Sequence, residues 1–150
     1  MFESLILTTM LTWGTETLDT PIGEIDAHVN QQMVSVQNLQ GWTVEGYEMS
    51  INPDIGNKMS MTDFAIGKSW KYGTVTVGED IINVRGVYPV YGERVYGIAG
   101  VTFRDSVDRA AVGIGYKFTD NIFMHASYGQ ADYKDGFDSD FTALSLVFVY

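Results

Sequence analysis

One pair of residues in this chain has the types and spacing for covalent chemistry. His125 and Ser127 stand two apart in Ile122-Phe-Met-His-Ala-Ser-Tyr128. In an extended strand that spacing puts both side chains on one face, where an imidazole can take the proton of a serine acting as nucleophile. Asp138 or Asp140 could supply the acid that orients the imidazole. The plainer reading, a histidine and an unrelated serine sharing a strand face, is preferred. His28 is remote, and two isolated histidines do not make a metal site. Asp132, Asp135, Asp138 and Asp140 gather carboxylates that could hold calcium, but their spacing lacks the glycine and closing glutamate of a calcium loop. A solvated acidic loop is the preferred reading there. Met49, Met59 and Met61 read as packing or lipid-facing residues. There is no phosphate loop, no glycine-rich nucleotide turn and no Gly-x-Ser-x-Gly elbow. No cofactor and no metal site is expected.

Charge narrows the function classes further. The net charge is −10, and residues 1–60 hold a single basic side chain, Lys58. Phosphate binding needs clustered lysine and arginine, so nucleic acid is excluded as a partner. Peripheral docking on anionic lipid is disfavoured for the same reason. The remaining basic residues are scattered, often near strand ends, with no basic patch along the chain. No cysteine is present, so there is neither a disulfide framework nor a thiolate site.

The elements that would position His125 and Ser127 are strands. The chain carries 16 glycines and 13% aromatic residues but only 3 prolines, a composition that favours β structure. From Val112, every second residue is bulky and apolar: Val112, Ile114, Tyr116 and Phe118, against Gly113, Gly115 and Lys117. Leu144, Leu146, Phe148 and Tyr150 repeat the pattern in the last segment. Successive side chains of a strand face opposite ways, so each segment has one greasy face. In a soluble barrel that face lies inside; in a transmembrane barrel it faces lipid and the lumen takes small and polar residues. Glycines and a lysine suit a narrow polar lumen better than an apolar ligand cavity. Phe118 and Ile122 are expected to share a face across a three-residue loop. That phase sends Ile122, Met124, Ala126 and Tyr128 to lipid and Phe123, His125, Ser127 and Gly129 inward.

Counting back from Tyr150 gives strands near 141–150, 122–133, 110–118, 94–104, 81–91, 61–77, 41–51 and 24–37. Asn52-Pro-Asp-Ile-Gly-Asn57 is a turn cluster, and Pro89 implies an edge, a bulge or a strand end. The expected fold is therefore all-β: an eight-stranded antiparallel up-and-down barrel of transmembrane type over residues 23–150. Residues 1–22 are expected to be an N-terminal arm or extra segment. Their apolar centre lacks a positive flank and a small-residue cleavage site, and it is too short to span a bilayer as a helix.

Val112-Gly-Ile-Gly-Tyr-Lys-Phe-Thr-Asp-Asn-Ile122, the Ala126-Ser-Tyr128 that follows and the aromatic-ended last strand resemble small bacterial outer-membrane barrels of the OmpA, OmpX and opacity-protein kind. The resemblance is good over residues 110–150 and only architectural over about 23–104. It implies outer-membrane localisation, with the export leader absent from this chain. It also implies a non-enzymatic role in which surface loops adhere, shield or contact a partner. A lipid bilayer or detergent is then the environment, a monomer is expected, and loops 104–109 and 134–140 are the candidate contact surfaces. Two alternatives stand beside it. One is a soluble barrel that binds an apolar ligand. The other is an esterase: outer-membrane lipid A deacylases are similar eight-stranded barrels with a His-x-Ser pair and a later acidic residue, which His125, Ser127 and Asp138 would match. The deacylase pattern continues with asparagine after the serine, where this chain has Tyr128.

Overall fold

The computed structural model describes residues 5–134 and 136–150. Every element is a strand: β1 (Ile6–Thr20), β2 (Gly23–Gln37), β3 (Trp42–Pro53), β4 (Met59–Ser69), β5 (Gly73–Val77), β6 (Ile81–Tyr91), β7 (Val95–Arg104), β8 (Val107–Lys117), β9 (Ile122–Tyr133) and β10 (Asp138–Val149). Each strand pairs antiparallel with the next, and β1 pairs with β10, so the sheet closes on itself.

The barrel has ten strands, which corrects the expected eight. One added strand is β1. Residues 6–20, expected to lie in an arm or extra segment outside the barrel, are hydrogen-bonded on both edges, to β2 and β10. Leu7, Leu11 and Trp13 alternate there with Thr8, Thr12 and Glu16. The threonines that made the segment look interrupted suit a strand, because branching at Cβ packs well on a pleated surface. The other comes from residues 61–77, read as one strand. They divide at Trp70-Lys-Tyr72, where the Trp70 amide donates to the Gly73 carbonyl at 2.7 Å and closes a turn. Pro89 marks an irregularity, since the β6–β7 register shifts between Pro89 and Tyr91.

The expected loops shrink as well. Arg104 ends β7 and Arg109 lies inside β8, leaving only Asp105 and Ser106 between the strands. Asp138 and Asp140 belong to β10, so the second loop is reduced to residues 134–137, of which Asp135 lies outside the described residues. Hydrophilic sequence was misleading here because a barrel wall can place charge on either face.

Closure sets the tilt. Following cross-strand partners once round the wall, from Leu7 through Val36, Val44, Ile66, Val77, Ile82, Phe103, Asp108, Asp132 and Asp138, returns to β1 at Asp19. The stagger is thus twelve residues, from position 7 to position 19. With ordinary strand spacings this gives a tilt of about 40° and a radius of about 10 Å. Both described chain ends and the turns at 38–41, 70–72, 92–94 and 118–121 lie at one rim; those at 21–22, 54–58, 78–80, 105–106 and 134–137 lie at the other. The two are called the terminal rim and the loop rim. The densest packing sits inside the loop rim, where Leu18, Ala27, Ile51, Val107, Ala131 and Tyr133 are buried together, with Met59, Met61 and Phe137 against them.

Candidate functional site

The wall offers two surfaces, an outer face and a lumen, and each sorts its residues by strand phase. Val112, Ile114, Tyr116 and Phe118 of β8 and its following turn stand on the outer face, as do Leu144, Leu146, Phe148 and Tyr150 at the chain end. Ile122, Met124, Ala126 and Tyr128 join them across the hairpin, while Phe123, His125, Ser127 and Gly129 point inward.

The outer face divides into two zones. Its apolar zone ends at a similar height on several strands, between Trp13 and Thr15, Leu144 and Thr142, Tyr128 and Gln130, and Phe64 and Thr62. Exposed aromatic residues mark both borders. Trp13, Phe64, Phe103 and Tyr128 lie toward the loop rim, and Trp42, Tyr88, Tyr116, Phe118 and Tyr150 toward the terminal rim. At 40° tilt this zone is about 20 Å tall, close to the apolar band of membrane barrels. Above it the face is polar and acidic. Asp108, Asp132, Asp138, Asp19 and Glu24 are consecutive cross-strand partners on β8, β9, β10, β1 and β2. Lys134 answers one of them, with its Nζ 2.8 Å from Asp108 Oδ2, and that carboxylate holds the lysine above its ordinary range.

The lumen is polar where strand phase sends charge inward. Among the described residues three ion pairs cross it, each joining strands three places apart in the wall: Arg85 of β6 with Glu45 of β3, Arg104 of β7 with Asp63 of β4, and Arg109 of β8 with Glu16 of β1. Arg104 Nε donates to Asp63 Oδ2 at 2.9 Å. Arg109 Nη1 donates to Glu16 Oε1 at 2.7 Å, and Tyr133 donates to the other oxygen of Glu16. The Arg109 guanidinium also lies over the Phe141 ring, 4.1 Å from its centroid. A relay runs from Thr102 Oγ1 to Asn83, from Asn83 Nδ2 to Tyr47 and from the Tyr47 hydroxyl to Glu45 Oε2, at 2.9, 2.8 and 2.8 Å. Paired in this way, buried charges avoid the cost of isolation.

His125 and Ser127 share the lumenal face, as their spacing required, but no hydrogen bond joins them. The His125 Nε2 is engaged by the Tyr96 hydroxyl at 2.7 Å. Asp138 and Asp140 lie on the outer face of β10, across the wall from the histidine. The structure therefore does not bring the third group of a catalytic triad to this pair. His28 is on the outer face of β2, far from His125. Among the described residues, no cluster of three or more metal-ligating side chains occurs.

A cavity of about 390 Å³ occupies the lumen below the loop-rim core and opens at the terminal rim. Arg85, Arg104, Arg109, Tyr47, His125 and Ser127 all line it. Sequence reasoning missed the arginines because they lie on three different strands and nothing local in the chain joins them. The available signal was phase: Arg109 shares the parity of Gly113 and Gly115, the narrow face of β8.

No family model matches the sequence, and no curated protein matches it significantly. Solved structures do resemble the fold. The crystal structure of Neisserial surface protein A (NspA) superposes with a TM-score of 0.52 at 8% identity, covering 95% of this chain and 96% of that one. Ail, the attachment invasion locus protein of Yersinia pestis, gives 0.49 at 10% identity over 97% and 98% of the two chains. The translocator domain of the autotransporter NalP from Neisseria meningitidis gives 0.48 at 9% identity over 97% and 88%. At such identity the likeness to NspA is one of fold alone, and the two lower scores add no argument to it.

Proposed function

We propose that this chain is an outer-membrane β-barrel that acts through the loop rim, as a surface for contact with a partner rather than as an enzyme. The observation that carries the reading is the zoned outer face. A level apolar belt of Val112, Ile114, Leu144, Leu146 and their neighbours, bordered above and below by exposed aromatics, is what a lipid-embedded wall requires. In water the same belt would be an exposed apolar patch far larger than soluble monomers carry. The zoning counts against a soluble barrel, whose exterior would be polar. The fold shared with Neisserial surface protein A is in keeping with this reading. The polar wall above the belt and the acidic turns then stand clear of the bilayer, where a partner can reach them.

The chain has no cysteine, so single-cysteine variants report cleanly. With the chain expressed in a bacterium with two membranes, Asn57→Cys at the loop rim reacts with an impermeant maleimide in whole cells. Glu93→Cys at the terminal rim reacts only after permeabilisation, and Val112→Cys in the belt only after unfolding. Equal labelling of all three in a protein found in the soluble fraction would end the membrane reading. Labelling of Glu93→Cys in whole cells would end the orientation.

A further inference from the structure

We infer that the lumen is a binding site for a small organic acid with an aliphatic body, its carboxylate held by Arg104 at the closed end of the cavity. The chain as a whole carries a charge of −10, yet the wall of this cavity presents Arg85, Arg104, Arg109 and, at the mouth, Lys71, while no carboxylate among the described residues lines it. Glu45 and Glu16 are tucked behind their arginines, with side chains 0% exposed, and Asp63, 13% exposed, lies outside the cavity lining. The acids thus compensate the guanidinium charges without occupying the cavity face.

The arginines are not used up by those pairs. Arg104 engages Asp63 through Nε, and Arg109 engages Glu16 and Tyr133 through Nη1. Their other guanidinium nitrogens have no protein partner among the described residues, and neither side chain appears among the buried atoms left unsatisfied, so these donors open on the cavity. Arg104 is itself 8% exposed. Arg109 stands opposite Thr102, two residues from Arg104 on the neighbouring strand, but it reaches toward β1 while Arg104 reaches toward β4, so the two present separate cationic groups at this end. A guanidinium edge matches a carboxylate in shape and charge. Between this end and the mouth, Met10, Met33, Ile98 and Val147 line the wall with flexible or branched apolar surface. The loop-rim core closes the cavity above, and a volume of about 390 Å³ lies in the range of small-ligand sites. One end is cationic, the wall below mixes these apolar side chains with neutral hydroxyls and amides such as Thr12, Gln31 and Ser145, and the cavity is closed above and open below: that is a cavity for an anionic amphiphile. The inference does not rest on the membrane reading, since the lumen is the same in either setting.

Native mass spectrometry of the folded chain, titrated with octanoate, octanol and octylammonium, tests it. Octanoate binds one per chain, and the other two bind at least tenfold more weakly. The paired variant Asp63→Leu/Arg104→Met removes one cation without stranding its partner and lowers octanoate affinity at least tenfold. Equal binding of the three probes, or full octanoate affinity in the paired variant, overturns the proposal. Should that variant not fold, Ala143→Phe, which narrows the cavity without touching a charge, carries the test: undiminished octanoate binding by it is equally fatal.

Discussion

Glu16→Gln should be among the most damaging conservative substitutions in this barrel. Glu16 is 1% exposed, and both its oxygens are occupied, one by Arg109 Nη1 at 2.7 Å and the other by the Tyr133 hydroxyl. Glutamine keeps the volume but removes the charge; its carbonyl oxygen can accept from one of the two donors and its NH2 from neither. One hydrogen bond loses its ionised acceptor and the other is lost, each worth about 1.5–3 kcal/mol when the acceptor is ionised. Arg109 is left as a buried cation without its anion, for which breaking a buried pair typically costs about 3–5 kcal/mol. These two figures describe the same loss and do not add. The Arg109 side chain is 11% exposed and borders the cavity, so water recovers part of it, and a loss of about 2–4 kcal/mol is expected. Reversible urea unfolding in lipid vesicles, followed by tryptophan fluorescence and by the heat-shifted gel band, measures it. The companion variant Glu16→Leu/Arg109→Met replaces both charges with apolar groups of similar size and should be more stable than Glu16→Gln alone. If Glu16→Gln unfolds at the wild-type urea concentration, or if the double variant is the less stable of the two, the account of these lumenal pairs as mutually compensating charges is refuted.

Two other expectations follow from local geometry. Gly129 faces the lumen where an added methyl would lie 2.2 Å from the Ala110 carbonyl oxygen and 2.4 Å from the Phe141 ring, whereas one on outward Gly46 would meet nothing nearer than 3.5 Å. Gly129→Ala should therefore cost about 1–3 kcal/mol in the same urea assay and Gly46→Ala almost nothing, and equal midpoints for the two would contradict the inward placement. At the loop rim, a hydrogen bond with the Asp105 carboxyl, together with its charge, holds Asp80 above the usual carboxylate range. The native state thus binds that proton more tightly than the unfolded chain. Stability falls as pH rises through the ordinary and then the raised value. Asp80→Asn should unfold at a higher temperature than wild type at pH 7.5, with the gap closing near pH 3; a gap of the same size at both would disprove the coupling.

Much of the wall was legible in the sequence. Period-two alternation groups Val112 with Ile114, Tyr116 and Phe118, and Leu144 with Leu146 and Phe148, because adjacent side chains of a strand must face opposite ways. Turn chemistry at Asn52–Asn57 and Thr119–Asn121, and the proline at position 89, mark where strands end or slip. Periodicity is a local property, however, and says nothing of partners. That β1 belongs to the wall shows only in its pairing with β10, more than a hundred residues away, and the threonines of β1 read equally well as an arm until that pairing exists. Closure at ten strands with a stagger of twelve then decides which faces meet. It brings Arg85, Arg104 and Arg109, scattered charges in the chain, to one cavity, and gives each an acid from a strand three places away. It also separates Asp138 from His125, because residues close in sequence fall on opposite sides of a wall one strand thick. Composition and alternation determine the material of the barrel and its two kinds of surface; only long-range hydrogen bonding decides its width, its level belt and the chemistry of its interior.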